Sequence, residues 1–296
     1  MQVASLFAAL FSVLIPTKMW FAPSQPDEFH NDGKDDVTLV LTDFAGKALE
    51  AKGPADVAAG KTIDAKSVFP QLSTMGTYVL FAVTKGKALP DFEGTPVVLE
   101  VRGDKQQGNE VSVTKAQPLQ YAVVQTKPGP IALVFFYDVA PNTVDSFLRL
   151  ASGGYYDGLT FHRIVPNFVI QGGDPKGNGS GGPGYNLEAE FNDRKHLPGV
   201  LSMARAQEVN SAGSQFFICL DYEQTKQLDG KYTAFGQVTD GMNAVKEIAG
   251  TKLKDPQQGA PETPQVMENV TIKPVTAQEN PYAEMLHLKK LEPAAK

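Results

Sequence analysis

Cysteine, histidine and tryptophan are scarce in this chain of 296 residues, which has one Cys, four His and one Trp. A single cysteine, Cys219, excludes any intrachain disulfide. Its setting in "SQFFICL" reads as a small buried hydrophobe and not as a thiolate, which would want a partner histidine. Between residues 37 and 118 no cluster of titratable residues at ligand or catalytic spacing appears. Positive charge is also in deficit, with 27 Lys and Arg against 33 Asp and Glu and a net charge of −6. That argues against a nucleic-acid partner, because phosphate binding needs clustered cations. What is present, 42% hydrophobic and 20% charged residues, is the composition of a soluble globular protein with room for two domains.

Long apolar runs are absent except at the start. Val3 to Ile15 is uninterrupted apolar or small residues, of signal-peptide length but without a basic n-region. At ~1.5 Å per residue it falls short of a ~30 Å hydrocarbon core. Extending it to Ala22 reaches spanning length at the cost of including Pro16 and Lys18. Residues 1–22 are therefore expected to be a signal peptide or an N-terminal membrane anchor, attaching through residues 3–22, with a buried domain helix as the alternative. Either of the first two implies an exported, periplasmic or extracytoplasmic protein.

Residues 23–36, rich in Pro, Asp and Gly, read as a linker. Between 37 and 118, "VTLVLTDF", "TYVLFAV", "PVVLEV" and "VSVTKA" are β-branched or aromatic runs punctuated by Gly, Pro and Asp. They are expected to form a small β-sandwich-like domain of unassigned role. From Gln120 the pattern changes. "QYAVVQT" and "IALVFFY" flank a "KPGP" hairpin turn, and Val144, Phe147, Leu148 and Ala151 recur at helical spacing, with Asn142 as a candidate cap. A second helix is expected over 241–249. The short apolar runs between the two helices, with "NVTIKPV" after them, suggest an antiparallel barrel with helices over its ends. The tail, 276–296, has room for one short helix over 282–291.

Two patterns invite over-reading. Gly177, Gly179 and Gly182 satisfy G-x-G-x-x-G, but Pro183-Gly184 follows instead of a helix, so a mobile surface loop is expected and not a phosphate cradle. Glu188 and Glu190 could pass for paired catalytic carboxylates; a solvated strand edge is the simpler reading.

"FHRIVPNFVIQGGD", "GVLSMARA", "GSQFFI" and "LDGKYTAFGQV", in this order, resemble the cyclophilin-type peptidyl-prolyl cis-trans isomerases over about 120–275. The resemblance implies a mainly β fold: an eight-stranded antiparallel barrel capped by two helices, spanning 119–275. It also implies rotation about Xaa–Pro bonds in polypeptides, assisting protein folding, with no cofactor, in a chain expected to be a monomer. A proline-peptide binding or chaperone module is the alternative. The family's motifs place catalysis on Arg163, with Gln171 and Gln215 as the amides that orient it and hold the substrate backbone. Phe168, Phe217 and Leu228 are the implied pocket walls, with Val169 and Tyr232 nearby. Ala204 and Arg205 match the segment that pairs with the residue before proline, and His162 is groove-lining or structural. Two positions depart from the family's pattern: Gln227 stands where tryptophan is frequent, and Arg205 where asparagine is common.

Overall fold

The computed structural model of the protein describes residues 13–104 and 111–288. Most of the apolar run from Val3 lies outside the described residues. The chain divides into two compact units, one formed by residues up to Gln120 together with those from Pro274 onward, the other by Tyr121–Lys273.

In the first unit, β1 (Leu14–Pro16), β3 (Glu28–Asn31) and β6 (Thr62–Asp64) form an antiparallel three-stranded sheet. A second antiparallel sheet runs β2 (Trp20–Phe21), β9 (Val111–Pro118), β8 (Phe92–Asp104), β7 (Gly76–Thr84), β4 (Val37–Asp43) and β5 (Asp56–Val57). Alternation along β4, β7 and β8 puts Leu39, Leu41, Leu80, Val97 and Leu99 into one core with Leu14, Phe21 and Phe29. A short helix, α1 (Ala65–Val68), is capped by Asp64.

Three expectations need correction here. Residues 14–16 and 20–21 are strands whose Leu14 and Phe21 are buried, so this part of the 1–22 segment belongs to the folded unit. The 23–36 linker contains β3, whose Phe29 is fully buried; a Pro- and Asp-rich flank hid one alternating strand. The tail holds turns instead of a helix over its described part. It belongs to the first unit, where Tyr282 and Leu286 are buried and the Tyr282 hydroxyl donates to the Gln120 carbonyl.

The second unit is one eight-stranded sheet. Its order is β12 (Arg163–Val165), β13 (Val169–Gly172), β15 (Phe216–Cys219), β14 (Val200–Met203), β16 (Ala234–Asp240), β11 (Ile131–Phe135), β10 (Gln120–Thr126) and β19 (Met267–Pro274). It curls until its ends meet: Phe161 N–H donates to Gln265 O, Met267 N–H donates to Leu159 O, and Thr160 bridges Val266. The seam makes the sheet a barrel, and closure removes the exposed edge an open sheet would carry. A small hairpin, β17 (Leu253–Asp255) with β18 (Ala260–Pro261), lies outside it. Helices α2 (Pro141–Ser152) and α4 (Met242–Ala249) are the two longer helices, and a single turn, α3 (Tyr222–Thr225), precedes Leu228. Phe147 of α2 enters the core among Phe135, Tyr156, Phe216 and Phe235, with ring centroids 4.9–5.6 Å away.

The start of α2 differs from expectation. Pro141 takes its first position and Ala140 is the cap residue, so Asn142 lies inside the first turn and not at the cap. The cap comes from Glu190: its Oε1 accepts from Asn142 N–H at 3.0 Å and its Oε2 from Thr143 N–H at 2.8 Å. Glu190 is thus a helix cap and not a solvated edge, while Glu188 is exposed.

Candidate active site

Register builds the site. Arg163 on β12 pairs with Gln171 on β13, Gln171 pairs with Phe217 on β15, and Phe217 pairs with Ser202 on β14. Directly paired residues share a face, so one row across the sheet carries guanidinium, amide and phenyl ring together. The hairpin between β12 and β13 turns at Pro166-Asn167. Proline supplies the fixed φ of the first central position, Asn167 takes φ +61°, and Phe168 N–H donates to Val165 O at 3.0 Å. That turn delivers Phe168 beside the row.

The side chains enclose a cavity of about 190 Å³ lined by Arg163, Phe168, Val169, Gln171, Ala204, Arg205, Phe217, Leu228 and Tyr232. The structure thus brings together all the sequence-derived site residues except Gln215 and His162. Gln215 lines a second, larger cavity of about 710 Å³ that shares Gln171, Ala204 and Arg205 with the first. A chain of amides joins the two: Arg163 Nη1 donates to Gln171 Oε1 at 3.4 Å, and Gln171 Nε2 donates to Gln215 Oε1 at 3.0 Å. Gln215 Nε2 then reaches the carbonyls of Gly179 and Gly181 at 3.0 and 2.9 Å. His162 lines neither cavity. Among the described residues neither of its buried ring nitrogens has a hydrogen-bond partner, and burial lowers its pKa.

The glycine loop after β13 is anchored at its start by an internal carboxylate. The buried Asp174 carboxylate accepts from the N–H groups of Lys176, Asn178 and Gly179. Burial pushes Asp174 up, but those three donors outweigh it and hold the carboxyl below its ordinary value. The amides a phosphate would need are already spent on an internal anion. Gly181 closes over the same carboxylate, where a Cβ would stand 2.0 Å from Asp174 Oδ1.

Sequence reasoning missed what lies beneath Phe217. His196, fully buried, stacks on it with centroids 6.2 Å apart and planes 24° from parallel. Its Nδ1 is 3.0 Å from Asp229 Oδ1 and its Nε2 3.0 Å from Ser202 Oγ. An ionised carboxylate only accepts, so Nδ1 carries the proton and Nε2 accepts from Ser202. Burial lowers the His196 pKa, against the opposing pull of Asp229. Burial pushes Asp229 up, but the His196 amide and ring, the Tyr222 hydroxyl and Lys195 outweigh it and hold it below its ordinary value. The Asp of "LDG" was the visible signal; its partner, 33 residues earlier, was not. On the other side, Tyr232 meets Phe217 edge-on at 5.9 Å, and the Arg205 guanidinium lies 4.8 Å from the Tyr232 ring. Burial pushes the Cys219 thiol up and leaves it inert.

The assembled site is a small pocket walled by aromatic and aliphatic side chains, with the Arg163 and Arg205 guanidiniums at its edge. Among the described residues, no group of three or more His, Cys, Asp or Glu is placed to hold a metal ion. The family model for cyclophilin type peptidyl-prolyl cis-trans isomerases matches residues 121–276, so residues before 121 fall outside it. A peptidyl-prolyl cis-trans isomerase of Synechococcus elongatus is 54% identical over 119 residues, 40% of this chain and 80% of its own. Peptidyl-prolyl cis-trans isomerase B of Bacillus subtilis is 47% identical over 128 residues, 42% of this chain and 87% of its own. A crystal structure of a Cryptosporidium parvum cyclophilin-type isomerase, obtained in the presence of the dipeptide Ala-Pro, is 31% identical. It covers 52% of this chain and 98% of its own, with a TM-score of 0.49. The chain belongs to the cyclophilin-type peptidyl-prolyl cis-trans isomerases, enzymes that accelerate rotation about Xaa–Pro bonds in protein substrates.

Proposed function

We propose that Arg163 performs the catalysis, with Gln171 and Gln215 holding it, and that the small cavity receives the prolyl ring. Rotation about the peptide C–N bond faces a barrier of ~18–20 kcal/mol because amide resonance is lost in the twisted state. For Xaa–Pro bonds this makes uncatalysed exchange take about tens to hundreds of seconds. No covalent bond breaks, so neither nucleophile nor base is required. When the bond twists, the lone pair localises on the prolyl nitrogen. A guanidinium aimed there stabilises the twisted form more than either planar one. Arginine suits the task because it stays charged and its fork of donors is rigid. Phe168, Phe217 and Leu228 bury the ring and exclude water, which strengthens that interaction.

The observation that carries this reading is the Arg163–Gln171–Gln215 chain at the wall of an aromatic cavity. Arg163→Ala, assayed by NMR exchange on a short peptide with one Ala–Pro bond, should lose ~10²–10³ in rate and keep its near-UV CD. A folded variant with activity within twofold of wild type overturns the assignment.

We further propose an extracytoplasmic setting and a monomer, the first on the strength of the apolar run from Val3. Any processing falls before Leu14, because Leu14 and Phe21 are core residues of the first unit. Among the described residues no helix is long and apolar enough to cross a membrane. Fractionation of expressing cells tests the setting, which recovery in the cytoplasm alone overturns; N-terminal sequencing tests the position, which a start after Ala22 overturns.

A further inference from the structure

The two cavities together are lined by three cationic side chains, Arg163, Lys176 and Arg205, and by no aspartate or glutamate. Among the described residues none of the three has an ion-pair partner, although the chain as a whole carries a net charge of −6. The ionised Asp174, held by the amides of its own loop, lines neither cavity and offsets one of the three charges, which leaves a cationic excess. Arg163 has a role in bond rotation; the other two have none there. Lys176 is exposed on the glycine loop of the larger cavity, and its ammonium makes no hydrogen bond among the described residues. Arg205 lines both cavities and is fixed in place. Its guanidinium donates to the carbonyls of Ala206, Gln207 and Lys231 and lies against the rings of Tyr232 and Phe191 at 4.8 and 5.8 Å. Carbonyls and rings hold a guanidinium without neutralising it.

We infer that the larger cavity selects an acidic residue next to the Xaa–Pro pair, with Arg205 and Lys176 as its specificity determinants. This rests on the isomerase reading above and names the peptides it prefers. The small cavity takes the ring and shares Gln171, Ala204 and Arg205 with the larger one, so a neighbouring residue of the same peptide occupies the latter. A cationic cavity in an acidic protein draws a carboxylate by complementarity of potential, and does so less as salt screens it. Arg205 arrives already ordered, so a partner carboxylate bears little of the entropic cost that weakens flexible surface pairs.

The test uses the full chain and peptides with one Ala–Pro bond, carrying Glu, Gln or Lys beside the pair, first on the N-terminal and then on the C-terminal side. On one side, kcat/KM should rank Glu above Gln above Lys, with Glu over Lys by roughly three- to tenfold at low ionic strength. The gap should close towards 0.5 M salt, about where the Debye length falls below 5 Å. Arg205→Gln should flatten the ranking. Lys176→Glu should flatten or invert it, and since its side chain holds nothing in place, that result does not depend on folding. Equal turnover of Glu and Lys peptides on both sides, or a ranking unchanged in both variants, overturns the inference and leaves the isomerase reading standing. Turnover of none of the peptides overturns both.

Discussion

Two buried carboxylates, Asp174 in the barrel and Asp27 in the first unit, are treated differently. In the barrel, Asp174 accepts three backbone donors, and His196 is held between Asp229 and Ser202. Among the described residues, both ring nitrogens of His162 and one carboxylate oxygen of Asp138 are buried without a hydrogen-bond partner. In the first unit, Asp27 is fully buried and, among the described residues, neither carboxylate oxygen lies within hydrogen-bonding geometry of a donor. Burial raises its pKa to about 6, against the opposing pull of Lys66 and the Thr114 hydroxyl. A partnered network fixes geometry, which a catalytic wall requires. An unpartnered carboxylate fixes nothing and costs stability when ionised. Asp174 and His196 hold parts of the barrel's site in place.

If the two units are as separate as their cores, they should be breakable one at a time. The largest effect is expected from Tyr282→Ala, which removes a fully buried ring and its hydroxyl's bond to the Gln120 carbonyl in the first unit. Truncating a buried aromatic costs about 3–5 kcal/mol. Thermal unfolding followed by near-UV CD should show that loss in one transition, with peptide isomerisation at the permissive temperature unchanged. Loss of activity in step with the lost structure would show that the barrel does not stand alone.

Acid should move the units in opposite directions. Asp27 has a folded pKa above its unfolded one, so folding is favoured as pH falls from about 7 through 6 towards 4, by up to about 3 kcal/mol. His196 and His162 have folded pKa values below the ordinary 6.5. The unfolded chain then binds protons first, and the barrel loses stability as pH falls through 6.5. Urea unfolding at pH 7.5 and 5.5 should therefore show the first unit's midpoint rising and the barrel's falling. Asp27→Asn should stabilise the first unit at pH 7.5 and abolish its acid response. Parallel shifts of the two midpoints would refute the assignment of these groups to separate folding units.

This division also explains what was legible. The barrel's site could be read because Arg163, Gln171, Phe217 and Leu228 sit in ordered motifs whose strand register brings them together. His196 was illegible because its function is tertiary: nothing local says that a histidine before Leu197-Pro198 lies under Phe217. In the first unit the four long strands announce themselves by alternation. β1, β2 and β3 do not, because they are two to four residues long and lie among prolines and aspartates. The tail gave no sign of its destination, since Tyr282 and Leu286 are buried by partners far earlier in the chain.

The smallest effect separates the two kinds of helix cap. In the first unit, Asp64 caps α1 locally: its Oδ1 accepts from Lys66 N–H at 3.1 Å, two residues on, a pattern readable in "DAKSV". In the barrel, Glu190 caps α2 from 48 residues away, through two amides at 3.0 and 2.8 Å. Losing a side-chain cap costs about 0.5–2 kcal/mol, and a negative charge beside the first turn contributes about 0.3–1 kcal/mol of favourable interaction with the helix dipole. Glu190→Ala should therefore destabilise the barrel by about 1–2 kcal/mol. Glu190→Gln, which keeps one acceptor and loses the charge, should cost less than half of that. Because the cap is long-range, the loss should appear as faster amide exchange at Asn142 and Thr143, with the packed end of α2 at Phe147 protected as before. Unchanged exchange at those two amides in Glu190→Ala would mean that Pro141 alone sets the start of the helix, and that the distant carboxylate only rests against it.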